Sequence, residues 1–406
     1  DTYGFPIDLT ELIAREQGVG VDLAAFETEL QAQKERSRNA AAVDTDDWVE
    51  LFPIRESLFT GYDTLTEQVR IARYRRVTSK GKTSYQLVFD RTPFYGNSGG
   101  QIGDIGYIEN ADERIAVVAT EKENGLIIHI VRELPENPAA GFTAVVDAAK
   151  RQAAANNHTA THLMHEALRK VLGTHVEQAG SYVDEFRGRF DFTHFSAVEP
   201  EELRRVEDLV NEKILEGIPV ETVVTDIDEA KKMGAMMLFG EKYGKIVRVV
   251  KMGDASTEFC GGTHVDNTAK IGLFHIVSES SVAAGVRRIE CVTGLESLKQ
   301  LREKDALLAE TAREIKAQNV GELPKRGAAV IAEVKELKRE IEALNAKLAA
   351  SKLDAIMSGA VDLGKYKLVR GKLEGMNVAA ARSLADGIKA SHPDTVALLA
   401  VVCDGK

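Results

Sequence analysis

The sequence predicts a multidomain α+β protein, and three observations lead there. At 406 residues the chain exceeds one ordinary domain and implies three or four units. Its local pattern changes character several times, from helix-prone to short β-prone runs to a mixture of both. Two later stretches keep a heptad rhythm found nowhere else in the chain. Residues 1 to about 56 are rich in Glu, Ala, Gln and Lys and carry Leu9, Leu12, Ile13, Phe26 and Leu30, which predicts a helical segment. From 57 to 147 short runs (Val69 to Val77, Tyr85 to Phe89, Ile115 to Ala119, Gly125 to Val131) alternate with Gly61, Gly81, Asn110 and Asn124. That pattern predicts a small antiparallel β-barrel or sandwich, with the barrel preferred.

Residues 148–294 read as an α+β core. A helix over 148–172 has Leu163, Met164, Ala167, Leu168, Val171 and Leu172 as its apolar stripe. Strands at Gly188 to Phe192, Lys245 to Met252 and Ile289 to Val292 follow, with a helix at Glu201 to Glu216. In 295–355, Leu298, Leu301, Leu308, Ala312 and Ile315 keep a three-and-four rhythm, interrupted by Asp305. After a break at Gly321 to Gly327, Val334, Leu337, Ile341, Leu344 and Leu348 resume the rhythm, which predicts an antiparallel helical hairpin. Residues 356–406 read β-α-β (Tyr366 to Val369, Ala379 to Ile388, Val396 to Cys403), a partial α/β domain.

Composition narrows the function. Hydrophobic residues make up 44% and charged residues 28%, as in globular chains, and no apolar run approaches the ~20 residues that span a bilayer. The chain begins at Asp1 rather than Met, so it reads as a portion of something longer. Three cysteines are too few and too scattered for a disulfide framework, which favours a reducing, cytoplasmic setting. A net charge of −11 excludes bulk electrostatic attraction to nucleic acid and leaves room only for a local basic patch.

Two pairs of soft ligands stand out. His158-Thr-Ala-Thr-His162 falls in the helical pattern, and a spacing of four puts both imidazoles on one face, about 5–6 Å apart at Cβ. Cys260-Gly-Gly-Thr-His264 supplies a thiolate and a third imidazole, with two glycines to allow a tight turn. Three imidazoles and one thiolate suit tetrahedral zinc. Either pair alone is a weak signal, and together they are specific. A zinc peptidase would need Glu after the first His, where this chain has Thr159. His165 is a competing ligand by position, ranked below the other four. Cys291, in a β-prone run, reads as a core residue, and Cys403 gives no signal.

With these residues in view, the chain resembles the alanyl-tRNA synthetase family over essentially its whole length. The matching blocks occur in the family's order: Asp1 to Thr10; Phe94-Tyr-Gly-Asn-Ser-Gly-Gly-Gln101 with Gly103, Asp104 and Gly106; His158 to His162; Gly180-Ser181; Arg187 to Phe192; Cys260 to His264; and Gly285-Val-Arg-Arg-Ile-Glu290. One departure is Asn97, where the family's glycine-rich loop carries an acidic residue. The resemblance implies the portion from the end of the tRNA-recognition region through a zinc editing core, a hairpin and part of the C-terminal domain. The ATP-dependent half of such an enzyme would lie before Asp1, and no ATP-binding signature is visible.

What the resemblance implies is hydrolysis of seryl- and glycyl-tRNA(Ala). A pocket for alanine rejects serine or glycine by only about 1–3 kcal/mol, so a second, hydrolytic sieve is needed. Thr161 is the implied reader of the seryl hydroxyl, with Gln178 and Ser181 as further polar contacts and Cys260 both ligand and part of the reacting site. Asn97, Gly99 and Gly100 of the loop, and Arg151, Arg187, Arg189, Arg287 and Arg288, are the expected tRNA contacts. The C-terminal region is expected to aid tRNA binding or self-association as a homodimer. The rival readings are a freestanding trans-editing deacylase and a non-catalytic, zinc-stabilised tRNA-binding or oligomerisation module.

Overall fold

The computed structural model describes residues 7–23, 25–30, 43–79, 81–237, 244–374 and 378–402. It is a mixed α+β structure with several sheets, in two compact units, 1–300 and 301–406. The chain runs through α1 (Ile7–Glu16), a helical stretch at 25–30, β1 (Val43–Thr45), β2 (Val49–Glu50), β3 (Leu58–Phe59), β4 (Thr66–Ser79), β5 (Lys82–Phe89), β6 (Arg91–Thr92), β7 (Gly106–Glu109), β8 (Arg114–Glu123), β9 (Leu126–Val131) and β10 (Gly141–Val146). It continues with α2 (Ala148–Leu172), β11 (Gln178–Val183), β12 (Gly188–Thr193), α3 (Pro200–Leu215), β13 (Val220–Asp226), α4 (Ile227–Lys232), β14 (Ile246–Met252), β15 (Ser256–Phe259), β16 (Phe274–Ala283) and β17 (Val286–Thr293). The last elements are α5 (Gly294–Glu314), α6 (Leu323–Ser358), β18 (Val361–Asp362), β19 (Lys367–Glu374), α7 (Val378–Ser391) and β20 (Thr395–Val402).

The first large sheet is antiparallel. β4 pairs with both β10 and β5, so the path β4-β10-β7-β8-β9-β5 returns to its start. Alternation along its strands sends Ile71, Leu87, Phe89, Val117 and Phe142 into one apolar core. The helical reading of residues 1 to about 56 fails from Val43 onward. β1 and β2 both pair with the long strand β4, and Trp48 lies against the Arg75 guanidinium. The β-branched Val43 and Val49 extend that edge, whereas the Ala-rich stretch before them carries the helix-like composition. Of the opening block Asp1 to Thr10, residues 1–6 lie outside the described residues, as does Cys403.

The second body of the unit is built on α2. Asp147 caps its N-terminus by accepting from Lys150 N, and every residue from Asn157 to His165 is buried. A helix buried on all sides needs apolar cover on several faces. Leu163, Met164 and Leu168 meet Phe190, Phe192, Ile289 and Phe274 from the sheet β11-β12-β17-β16, with Val206 and Val210 of α3. A separate sheet, β13-β14-β15, ends in the turn that carries the second ligand pair.

In the unit 301–406, β19 and β20 pair in parallel around α7, as the β-α-β pattern predicts. The two heptad helices are present, but α6 begins at Leu323, with Pro324 in its first turn, so Gly327 lies inside the helix rather than in a connection. The expected hairpin seam does not extend along α6: the helices meet beside their connection, where Arg326 donates to Ile315 O. Val334, Leu337, Ile341, Leu344 and Leu348 are all exposed, Ile341 at 57%. A heptad stripe states that a face wants cover without stating which surface supplies it. Among the described residues no helix is long and apolar enough to cross a membrane.

Candidate metal centre and its pocket

Helix α2 delivers His158 and His162 from consecutive turns, and the segment after β15 delivers Cys260 and His264. One potential ligand atom from each of the four lies within 4.8 Å of every other. Cys260 Sγ stands 3.4 Å from His158 Nε2 and 3.2 Å from His264 Nε2. Around a tetrahedral ion with bonds of about 2.3 Å to sulfur and about 2.0–2.1 Å to nitrogen, sulfur and nitrogen are about 3.5 Å apart. The donor set and its spacing therefore fit such an ion.

The tautomers fit as well, because each imidazole has its Nδ1 turned to an outer partner. His158 Nδ1 lies 2.8 Å from Gln101 Oε1, His264 Nδ1 3.1 Å from Thr159 Oγ1, and His162 Nδ1 2.8 Å from Glu258 Oε2. The Thr159 hydroxyl gives its own proton to Ala155 O, so it accepts from His264. The His162 contact is close but angled outside hydrogen-bond geometry, and it acts as a charge contact. Proton on Nδ1 leaves Nε2 as the free ligand atom. Gln101 also accepts from Thr263 N and donates to Thr263 Oγ1, both at 2.8 Å, which ties the glycine-rich loop to the ligand turn.

The turn itself is clamped. Arg248 donates to Cys260 O and Gly262 O, and lies over the Tyr62 ring, whose hydroxyl donates to Gly261 O. The two glycines do not serve the turn as expected, since neither has a positive φ. Gly262 is required for space: a Cβ there would collide with the His158 ring.

Electrostatics favour a thiolate at Cys260 and a neutral ring at His264, while a metal at His162 has to displace a proton. Burial would raise the Cys260 thiol, but the histidines around it outweigh that and hold it well below its ordinary value. Burial pushes His264 down to about 3, which keeps that ring neutral. For His162 burial works the same way but loses to the Glu258 and Cys260 charges, so its value rises well above the ordinary one. Glu258 would be raised by burial; His162 beside it holds the carboxyl well below the usual carboxylate range. Cys291, by contrast, is buried without cationic neighbours and is pushed up to about 12, as a core thiol should be.

Beside the cluster lies a cavity of about 30 Å³, lined by Thr161, His165, Gln178, Ser181 and Phe190 together with His158, His162, Glu258, Cys260 and Gly99. The structure thus brings Thr161, Gln178, Ser181 and Cys260 to one pocket. Thr161 Oγ1 donates to Asn157 O, which leaves it only as an acceptor, and Gln178 Nε2 donates to Ser181 Oγ. Gly99 and Gly100 have positive φ, and the loop hydrogen-bonds the end of β11 through Ile102 N to Val183 O and Val183 N to Gly100 O. The N–H groups of Asn97 and Ser98 are already bonded within the protein, to Thr120 O and Gln101 O.

The basic residues fare unequally. Arg151 is an interior residue: its guanidinium pairs with Asp104 and donates to Gly61 O and Pro93 O, so it offers no face to a phosphate. Arg187 pairs with Glu290, Arg287 with Glu279 and Arg288 with Asp191. Arg189 lies over Tyr182, with Asp191 only at 4.0 Å. Glu258 and Gln101 had no recognised role in the sequence, although Glu258 stands two residues before the cysteine ligand and Gln101 closes the glycine-rich loop.

Similarity to known proteins agrees with this arrangement. Residues 1–150 match the family model described as tRNA synthetases class II (A), and residues 247–290, which include Cys260 and His264, match the Threonyl and Alanyl tRNA synthetase second additional domain. Fold, ligand cluster and these matches define a piece of class II tRNA synthetase machinery. Alanine–tRNA ligase of Cytophaga hutchinsonii is 46% identical over 408 residues, covering 100% of this chain and 46% of the relative. That of Bacteroides fragilis is 47% identical over 374 residues (91% and 42%), and that of Bacillus velezensis 44% over 419 residues (100% and 48%). The chain belongs to the alanyl-tRNA synthetase family, and it spans about half the length of the relatives it matches.

Proposed function

We propose that this chain is the editing portion of an alanyl-tRNA synthetase, which hydrolyses seryl- and glycyl-tRNA(Ala) with zinc held by His158, His162, Cys260 and His264, in the cytoplasm. The observation that carries the reading is the four-ligand cluster opening onto a small cavity with Thr161, Gln178 and Ser181 in its wall. In the reaction water adds to the ester carbonyl, the bond to the terminal ribose oxygen breaks, and free amino acid and tRNA are released. Zinc, when bound, supplies positive charge next to the ester carbonyl. Thr161, Gln178 and Ser181 bound the space for the aminoacyl side chain. Arg189, whose charge is least engaged, is the best placed of the arginines for a backbone phosphate. The family's C-terminal region remains the proposed source of self-association.

The test measures hydrolysis of seryl-tRNA(Ala) beside alanyl-tRNA(Ala), with zinc content determined on the same sample. Loss of activity with a chelator, and in Cys260→Ala, is the expected result. Undiminished deacylation in Cys260→Ala would remove the zinc requirement. One observation favours a second reading: four protein ligands fill a tetrahedron, as in structural sites. If the zinc-loaded chain leaves seryl-tRNA intact but binds tRNA, the non-catalytic module is the correct one.

A further inference from the structure

His165 is three residues beyond His162 on α2 and only 2% exposed. It lies outside the four-residue cluster that can hold the metal, so the structure gives it no part in coordination. Yet neither ring nitrogen has a hydrogen-bond partner: Nδ1 faces Glu258 Oε1 at 3.7 Å, too long for a bond, and Nε2 faces none. A buried polar group left unpaired is costly, and natural structures keep one where something else completes it. The ring lines the same cavity as Thr161, one helical turn earlier, and Phe190 holds it at a centroid distance of 5.1 Å.

We propose that His165 reads the side-chain hydroxyl of the bound aminoacyl group. The inference rests on the deacylase reading and names the residue that makes it selective for serine over alanine. The neighbouring Glu258 carboxylate favours the tautomer with its proton on Nδ1, so Nε2 is a free acceptor. A seryl hydroxyl donates to it. An alanyl methyl leaves it buried and unpaired, which is how a site built for a hydroxyl rejects the analogue lacking one. The other polar walls are already engaged in bonds, Thr161 donating to Asn157 O and Gln178 to Ser181, whereas neither nitrogen of His165 has a partner. Glycine, smaller by a methyl, leaves space in which a water pairs Nε2, so it enters by size.

The test uses the full chain loaded with zinc, with His165→Phe to keep the ring shape and remove both nitrogens, and His165→Gln to restore a polar group. In His165→Phe, kcat/KM for seryl-tRNA is expected to fall by about 10- to 100-fold, while that for glycyl-tRNA stays within about threefold. His165→Gln recovers part of the seryl loss, and zinc content is unchanged in both. A second readout is calorimetric binding of amide-linked, non-hydrolysable seryl- and alanyl-adenosine, whose discrimination should collapse in His165→Phe. Equal losses on seryl and glycyl substrates at full zinc content, or an unchanged serine preference, would overturn the proposal. If the unmodified protein hydrolyses neither ester yet prefers the seryl analogue over the alanyl one, the deacylase reading fails while the hydroxyl-reading role stands. Equal binding of the two analogues by the unmodified protein sinks that role.

Discussion

Gln101 links the glycine-rich loop to the metal ligands, and removing it isolates that link. The side chain is fully buried and makes three bonds of 2.8 Å, accepting from His158 Nδ1 and Thr263 N and donating to Thr263 Oγ1. At a net value of about 1 kcal/mol each, Gln101→Ala should cost about 3 kcal/mol of stability in the metal-free protein. Loss of an outer partner that fixes a ligand's tautomer lowers metal affinity by about 10- to 100-fold, or about 1.4–2.7 kcal/mol. Gln101→Glu keeps both acceptor contacts, and the Thr263 hydroxyl can rotate to donate to the carboxylate, so its affinity should return to within about threefold of the original. The assay is competition for zinc against a chromophoric chelator at fixed pH, with urea unfolding of the metal-free forms alongside. Wild-type affinity in Gln101→Ala, or no recovery in Gln101→Glu, would refute the claim that this loop orients His158.

Three further outcomes follow from the same geometry. Gly262→Ala puts a methyl into the His158 ring and should cut zinc affinity by at least about tenfold, whereas Gly261→Ala, with nothing within 4 Å, should leave it intact; zinc titration of both variants checks the contrast. At pH 8 a thiol reagent should modify Cys260 in the metal-free protein and spare it in the zinc-loaded form. Cys291, pushed up to about 12 and buried, should react only after denaturation, as read by mass spectrometry of the peptides. His129, buried between Thr92 and Leu87 O, is pushed down to about 3 by burial, below its ordinary value of about 6.5. The unfolded chain therefore takes up a proton first as pH falls, and stability should drop by up to about 1.4 kcal/mol per unit between about pH 6 and about pH 3. His129→Gln should flatten that part of the curve, and parallel slopes for the two proteins over this range would refute it.

The ligands were legible because their signal is local. A spacing of four on a helix, and Cys-x-x-x-His at a turn, each fix two side chains without knowledge of the rest of the fold. Their outer partners were not, since Gln101 reaches His158 across 57 residues and nothing in its neighbourhood marks it as buried. Arg151 shows the same limit from the other side. As a lone arginine near the site it reads as a phosphate contact, and only the fold reveals Asp104, 47 residues away, holding it inside. Long, strongly patterned elements such as α2 and α3 could be read to within a residue or so, whereas β1 and β2 could not, because a strand of two or three residues owes its existence to the β4 edge it joins.

Within the deacylase reading, the closed ligand set shifts the burden of selectivity. Four protein ligands leave a tetrahedral ion no open corner, so discrimination between serine and alanine has to come from the cavity wall. That wall is assembled from separate parts of the chain: Thr161 and His165 from α2, Gln178 and Ser181 from β11, and Gly99 from the loop beside Gln101. An ion binding between α2 and the 260–264 turn fixes the two elements that the Gln101 and Glu258 contacts already join to the loop and to β15. Metal binding therefore contributes folding free energy to the pocket itself, and a variant that loosens the ion should blur the serine preference before it abolishes hydrolysis.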